Sequence, residues 1–585
     1  MRGAQREVAE RAVPWPGRAG PGLAAARWGG AASLLVVASP AVLLLWGLTA
    51  VLVLIALRQD GGQLTYALDD AYIHMAIARN LAQSGVWGVT PDGFAGATSS
   101  ILWPLLLAAA DRLIGVRDLT PLILNLLCAS AVVVAAGLLL RRGGLPPAPA
   151  AAALAAIVLA APLPTLVVIG MEHSLQVLVD LLFAGAAVEA LARPRVGGAV
   201  RVGLLVLAPL VTSVRYEGLF LVGLAALLLA ARGAPGAAGM LVLLGLLPPA
   251  AFGAVSAASG WYPLPTPVLL KGVLLAGAVP VSGGSPGLLA AARLLLARLE
   301  HLLTAAQILV LLGASTVLYG LGRRTGLPSW APQQGLLLLT AAATLLQTLA
   351  ASVGVFYRYE AYLVVLGLTA LALTVGAGLR KGALGATDRG TALTRRAAVI
   401  GLAVAFAVFG ERAAAALVQT PRAMVNIYQQ QYQMGRFLRR YYAGQVVALN
   451  DIGAVCYLAP IHLLDVWGLA SRDVASLRLR GAYGRAAVAA LARQARVRIA
   501  VVYDRWFQDG QVVRDGVPPS WTLAGRWTIP DNVVAGDAAV SFYAVDPGAA
   551  AELRANLRAF APDLPPGVRW DAVGGETSGA APPGG

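Results

Sequence analysis

Apolar residues fall in long unbroken blocks along most of this chain, and charge appears only in short gaps between them. That is neither the strict alternation of a half-buried strand nor the one-sided stripe of a surface helix. Eleven blocks are predicted to be helices: 31–57, 119–140, 149–169, 174–192, 202–214, 219–231, 238–257, 302–321, 334–354, 361–379 and 397–416. Most approach the roughly 20 apolar residues that cross a bilayer. The blocks 202–214 and 219–231 can be read as two spans or as one long helix. The stretch ILWPLLLAAADRLIG (101–115) is shorter, holds Pro104 and is broken by Asp111 and Arg112, so it reads as an interfacial helix.

Past residue 416 the pattern changes. The short β-like runs QVVAL (445–449), VRIAVVY (497–503) and AAVSFYAV (538–545) are separated by helical patterns such as 483–494. This is the signature of a small α/β unit. The expected fold is an all-α polytopic membrane bundle of about 11 transmembrane helices, followed by a C-terminal extracytoplasmic α/β domain. Residues 1–28 form a basic, Pro/Gly-rich cytoplasmic tail expected to be disordered. Residues 29–416 form the membrane domain, with a long first outer loop at 58–118. Residues 417–561 form the α/β domain, and 562–585 a second tail expected to be disordered. No internal repeat is visible.

Composition agrees with this division. With 58% of residues hydrophobic and 13% charged, an ordinary soluble domain is excluded. The 45 basic residues exceed the 29 acidic ones, and the excess is not spread evenly. With the N-terminus inside, the inner loops hold thirteen Lys and Arg, among them Arg141, Arg142, Arg323, Arg324 and Lys381, against the single acid Asp388. Outer loops are close to balance. This is the positive-inside asymmetry, and it predicts a multi-pass protein of the plasma (inner) membrane with a cytoplasmic N-terminus. An odd number of spans then sends residues 417–585 outside. No basic stripe interleaved with aromatics is present, so the bilayer rather than nucleic acid is the expected partner. Cys128 and Cys456 suggest neither a disulfide framework nor a thiolate metal site.

This topology gathers the polar motifs on the outer face. The first outer loop carries Asp69, Asp70 and His74; GMEH (170–173) carries Glu172; RYEG (215–218) carries Arg215 and Glu217. The loop GWYPLPTPVLLKG (260–272) carries Lys271, and FYRYE (356–360) carries Arg358 and Tyr359. Ionisable residues at span ends face a bundle interior or cavity, because lipid exposure is costly. Plain structural readings exist for each. Asp69 can cap a helix over 70–83, Asp70 and His74 can share a helix face through a hydrogen bond, Lys271 and Arg358 can snorkel, and Tyr359 can belong to an aromatic belt. Capping needs one aspartate, and there are two.

Taken in order, these motifs resemble the GT-C glycosyltransferases that use polyprenyl-phosphate sugars, especially bacterial members related to mycobacterial terminal arabinofuranosyltransferases and the protein mannosyltransferase group. LDDAYIHMAIARNLAQSG and GFAGATSSILWPLLLA (93–108) resemble the family's first outer loop. GMEH resembles its Gly-Met-Glu turn, and RYEG an Arg-Pro-Glu-Gly element with Tyr216 in place of proline. YPLPTPVLLK resembles a Pro-Asn-Thr loop followed by lysine, with Pro265 where asparagine is usual. NDIGAVCYL (450–458) and LLDVWGLA (463–470) resemble its Asp-x-Gly and Asp-x-x-Gly-Leu elements.

The resemblance implies an inverting glycosyl transfer from a polyprenyl-phosphate sugar to a cell-envelope glycan, glycolipid or protein. It implies Asp69 as base, Asp70 as its orienting neighbour, and Arg215, Lys271 and Arg358 as phosphate holders. His74, Glu172, Glu217 and Tyr359 complete the substrate site. No metal ligand set or cofactor is assigned, although a divalent cation fits the reaction class. A lipid transporter or scramblase, and a noncatalytic glycan-binding subunit, are the competing readings. The first would favour repeats and charges along a path, and the second has no use for the aspartate pair.

Overall fold

The computed structural model describes residues 30–193, 198–271, 305–324, 326–380, 389–508 and 512–573. The expected tail at 1–28 lies outside the described residues. Every one of the eleven apolar blocks holds a helix. In chain order the helices up to the α/β unit are α1 (Gly30–Gln59), α2 (Asp69–Ser84), α3 (Leu102–Ile114), α4 (Thr120–Arg142), α5 (Pro147–Ala160), α6 (Leu163–Ile169), α7 (His173–Ala192), α8 (Gly198–Val214), α9 (Gly218–Ala231), α10 (Pro235–Ala258), α11 (Thr266–Lys271), α12 (Ala306–Arg324), α13 (Pro332–Ala350), α14 (Ala361–Arg380) and α15 (Arg389–Ile427).

Six helices among the described residues are long and apolar enough to cross a membrane, or seven if α5 and α6, bent by 42° at their junction, make one span. The chain is therefore a multi-pass membrane protein. Length and composition do not by themselves reach eleven spans, because α8, α9 and the apolar part of α14 are short.

The blocks 202–214 and 219–231 form two helices, turned at Arg215–Glu217. Gly218 permits that turn: a Cβ there would meet the Val211 Cγ1 at 2.5 Å and its carbonyl oxygen at 2.6 Å. Helix α3 is separate from the candidate spans. It buries Trp103 and Leu107 and exposes Leu105, Leu106, Leu113 and Ile114, the apolar face that an interfacial helix turns to lipid.

Helix α15 runs through residue 416 without interruption, so the expected domain boundary falls inside one continuous helix. It ends in a π turn, Tyr428–Tyr432, and then helix Gln433–Tyr441 leads into a six-stranded sheet. The strands are β1 (Val446–Leu449), β2 (His462–Asp465), β3 (Ile499–Val502), β4 (Thr522–Thr528), β5 (Ala539–Ala544) and β6 (Arg569–Ala572), in the order β2-β1-β3-β5-β4-β6. β1 is parallel to β2 and β3, and the remaining pairs are antiparallel. β6 lies within the stretch from 562 that was expected to be disordered, so ordered structure continues further than the sequence reading placed it.

Phe437 joins the incoming helix to this sheet. Its ring meets those of Trp527, Phe542 and Phe560 edge-on, with centroids 5.6, 5.4 and 5.5 Å away. Such pairs add about 0.5–1.5 kcal/mol each beyond the area they bury. Because β1 and β3 are parallel, the residues after them emerge at the same sheet edge. There Tyr503 N donates to Asn450 Oδ1 at 2.9 Å, and this edge packs against α2.

Candidate active site

Asp69 and Asp70 open α2, but Asp69 does not cap it. The cap position is Leu68, which offers no side-chain acceptor. The Asp69 carboxylate instead reaches the α/β unit, accepting from Gly453 N at 2.8 Å on Oδ2 and from Ala454 N at 2.8 Å on Oδ1. Gly453 makes the approach possible, since a Cβ there would lie 2.0 Å from the Asp69 carbonyl oxygen. Burial, reinforced by the neighbouring Asp451 carboxylate, pushes the Asp69 carboxyl up to about 8, against the pull of the two backbone donors. Asp451 is itself anchored, accepting from Tyr503 Oη at 2.6 Å and Gln431 Nε2 at 2.8 Å.

Asp70, one residue on and about 100° around the helix, faces a cavity of about 370 Å³. His74, Arg215, Glu217 and Tyr359 share its wall, and so does Leu469 of the α/β unit. The carboxylate of Asp70 accepts from Arg358 Nη2 at 2.9 Å. Arg358 is buried, 4% exposed, with Nη1 3.0 Å from the Met171 sulfur, a weak acceptor. Its Nε has no hydrogen-bond partner among the described residues.

Arg215 is differently placed. It forms a bidentate pair with Glu217, Nη2 to Oε1 at 2.7 Å and Nε to Oε2 at 3.1 Å, and its Nη1 donates to Glu172 Oε1 at 2.7 Å. Glu172 is fully buried. The Tyr359 ring lies between the two arginines, its centroid 5.1 Å from the Arg215 Cζ and 4.9 Å from the Arg358 Cζ. That geometry suits cation–π attraction to both.

His74 turns to Thr98, Nδ1 to Oγ1 at 3.2 Å, and to Glu172, Nε2 to Oε2 at 3.5 Å. Burial lowers its pKa below the ordinary value, despite the carboxylates nearby, and this favours a neutral ring. Lys271 ends α11, and its side chain lies outside the described residues. Helix α11 itself is tied to the site, because the Thr266 hydroxyl lies 2.8 Å from Gly96 O and 2.6 Å from Leu469 O. Asp465 forms a turn, accepting from Trp467 N and Ala470 N at 2.7 Å each.

Several contributors escaped the sequence reading. Met171 and Leu469 stood inside the quoted motifs GMEH and LLDVWGLA, but as apolar residues they were given no place in the site. Arg412 did carry one: a single arginine within the apolar block 397–416, found 6% exposed and paired with Glu360. Among the described residues no group of three His, Cys, Asp or Glu stands close enough to hold a metal ion.

Residues 425–543 match the model of a domain of unknown function, DUF8728. No curated protein matches the chain. The fold is similar to the crystal structure of ArnT from Cupriavidus metallidurans bound to undecaprenyl phosphate, with a TM-score of 0.50 and 13% identity over 86% of this chain and 98% of that one. It is also similar to an oligosaccharyltransferase from Archaeoglobus fulgidus, crystallised with zinc and sulfate, with a TM-score of 0.46 and 13% identity over 85% of this chain and 73% of that one. At such identity the likeness is one of fold alone.

Proposed function

We propose that this chain is a glycosyltransferase that moves a hexosyl or pentosyl unit from a polyprenyl-phosphate donor to a cell-envelope glycan, glycolipid or protein. One observation carries the reading. Inside a GT-C fold, the partly exposed carboxylate of Asp70 faces a cavity and holds a buried arginine that still has donor positions to give. The undecaprenyl phosphate bound to ArnT supports the donor class.

In this reading Asp70 is the reacting carboxylate, and the two aspartates exchange the roles expected from the sequence. Geometry decides before proton affinity does, and Asp70 is the one on the cavity wall. The acceptor hydroxyl attacks the anomeric carbon from the face opposite the phosphate, and its proton passes to Asp70. The carbon–oxygen bond to phosphate breaks, and its electron pair leaves on the polyprenyl phosphate. Arg358 supports that charge through the donors that Asp70 does not use. Arg215, with three of its N–H groups given to carboxylates, frames the site rather than holding phosphate. Asp69 joins α2 to the α/β unit.

A second reading makes Asp69 the base: burial and the neighbouring Asp451 carboxylate raise its proton affinity toward the neutral range, so the ionised fraction of the carboxyl is a strong base.

The proposed topology has eleven spans within 29–416, the N-terminus cytoplasmic, and the α/β domain of 417–561 outside, over the cavity. Reporter fusions at residues 235, 325, 385 and 585 should place the first three inside and the last outside. An external signal at 325 with a cytoplasmic one at 585 would reverse the topology. The activity itself is read by transfer of label from a polyprenyl-phosphate sugar to an envelope acceptor by purified protein.

A further inference from the structure

Three residues just before Arg358 hold an uncommon backbone form. Gly354 has φ 89°, Phe356 has φ 48° and ψ 49°, and Tyr357 has φ 64°. L-residues rarely adopt this left-handed region, so surrounding contacts must hold the segment there.

Those contacts converge on one buried pair. Arg412, inside α15, donates from Nη1 to Glu360 Oε1 at 2.6 Å and from Nη2 to Tyr357 O at 2.9 Å. Its Cζ also lies 5.1 Å from the Tyr357 ring centroid. Glu360, fully buried, accepts from Gly354 N at 2.8 Å on Oε2. One guanidinium and one carboxylate thus tie the beginning, middle and end of the strap 354–360. Tyr357 adds a second link to α15, its hydroxyl donating to Gln419 Oε1 at 2.8 Å. Arg358 and Tyr359 lie between these ties: Tyr359 lines the cavity, and Arg358 bonds to Tyr359, Asp70 and Met171, three residues of the cavity wall.

An arginine inside a membrane helix is costly and persists where it has a partner and a task. We propose that Arg412 is a positioning residue of the donor site: through Glu360 and the Tyr357 carbonyl it holds the strap in the form that aims Arg358 at the lipid phosphate. The proposal rests on the reading of the cavity as a polyprenyl-phosphate site.

The test separates the two claims. Wild-type protein, Arg412→Gln, Arg412→Lys, Arg358→Ala and the double variant Arg358→Ala/Arg412→Gln are placed in lipid nanodiscs. Hydrogen exchange follows the amides of 354–360, and titration with decaprenyl phosphate follows binding. Arg412→Gln should speed exchange in the strap about tenfold or more, with α2 and the sheet unchanged, and weaken binding about tenfold. Arg412→Lys keeps the charge but cannot reach Glu360 and the Tyr357 carbonyl together, so it should fall between. In the Arg358→Ala background the Arg412→Gln change should weaken binding by less than about twofold, since its effect passes through Arg358.

Unchanged strap exchange in folded Arg412→Gln protein overturns the proposal, as does a fully additive loss of binding. If Arg412→Gln fails to fold, Arg412→Lys carries the same comparison. If wild-type protein binds no decaprenyl phosphate, the donor-site reading fails, while exchange still decides whether Arg412 holds the strap.

Discussion

Asp70→Asn should lower glycosyl transfer by roughly 10²–10⁴ while leaving the protein folded, because the amide cannot take the acceptor's proton. Asparagine retains the shape of the side chain and an oxygen for Arg358 Nη2, now 2.9 Å from the Asp70 carboxylate. The loss should therefore fall on turnover more than on donor binding. Asp69→Asn is the companion variant. It keeps one oxygen for the Gly453 and Ala454 amides and sacrifices part of the joint between α2 and the α/β unit. Its turnover should stay well above that of Asp70→Asn. The measurement is initial transfer rate in nanodiscs beside a thermal-unfolding control. The reverse ranking would move the base to Asp69.

Arg215→Ala should destabilise the protein by about 3–5 kcal/mol, the usual cost of removing one partner from a buried ion pair. Its Glu172 partner is fully buried, and the bidentate contact to Glu217 disappears with it. Most of that cost is the charge left behind on Glu172 rather than the worth of the pair itself. Glu172→Gln introduced into Arg215→Ala should for that reason recover part of the loss. Thermal unfolding of both variants in one detergent reads this directly. An Arg215→Ala protein as stable as wild type would remove Arg215 from its framing role.

The helices were legible because a bilayer demands long apolar blocks, although the block 149–169 is broken into α5 and α6 with a 42° bend. That the polar motifs would meet was legible for a related reason: each ionisable group at a span end needs a cavity or a partner, and the helix ends bring those partners together. Which of Asp69 and Asp70 lines the cavity was not legible. Adjacent residues on a helix point about 100° apart, and only docking of the Gly453 turn fixes which of them meets the cavity. Strands β1, β3 and β5 announced themselves as apolar runs. β2 is only HLLD, β6 is RWDA, and β4 carries a register shift between Leu523 and Gly525. Such segments become strands through pairing rather than through their own pattern. Arg412 was visible as an odd charge in an apolar block, but its partner Glu360 lies 52 residues away, a separation that periodicity cannot bridge.

The most direct measurement is transfer itself. Wild-type protein and Asp70→Asn in nanodiscs are incubated with a panel of radiolabelled polyprenyl-phosphate hexoses and pentoses and with envelope glycan, glycolipid and protein acceptors. At least one donor should pass its label to an acceptor with the wild-type protein, at a rate that Asp70→Asn lowers by roughly 10²–10⁴. Folded wild-type protein that leaves every donor in the panel intact, or an Asp70→Asn variant that transfers as fast as wild type, would contradict the account.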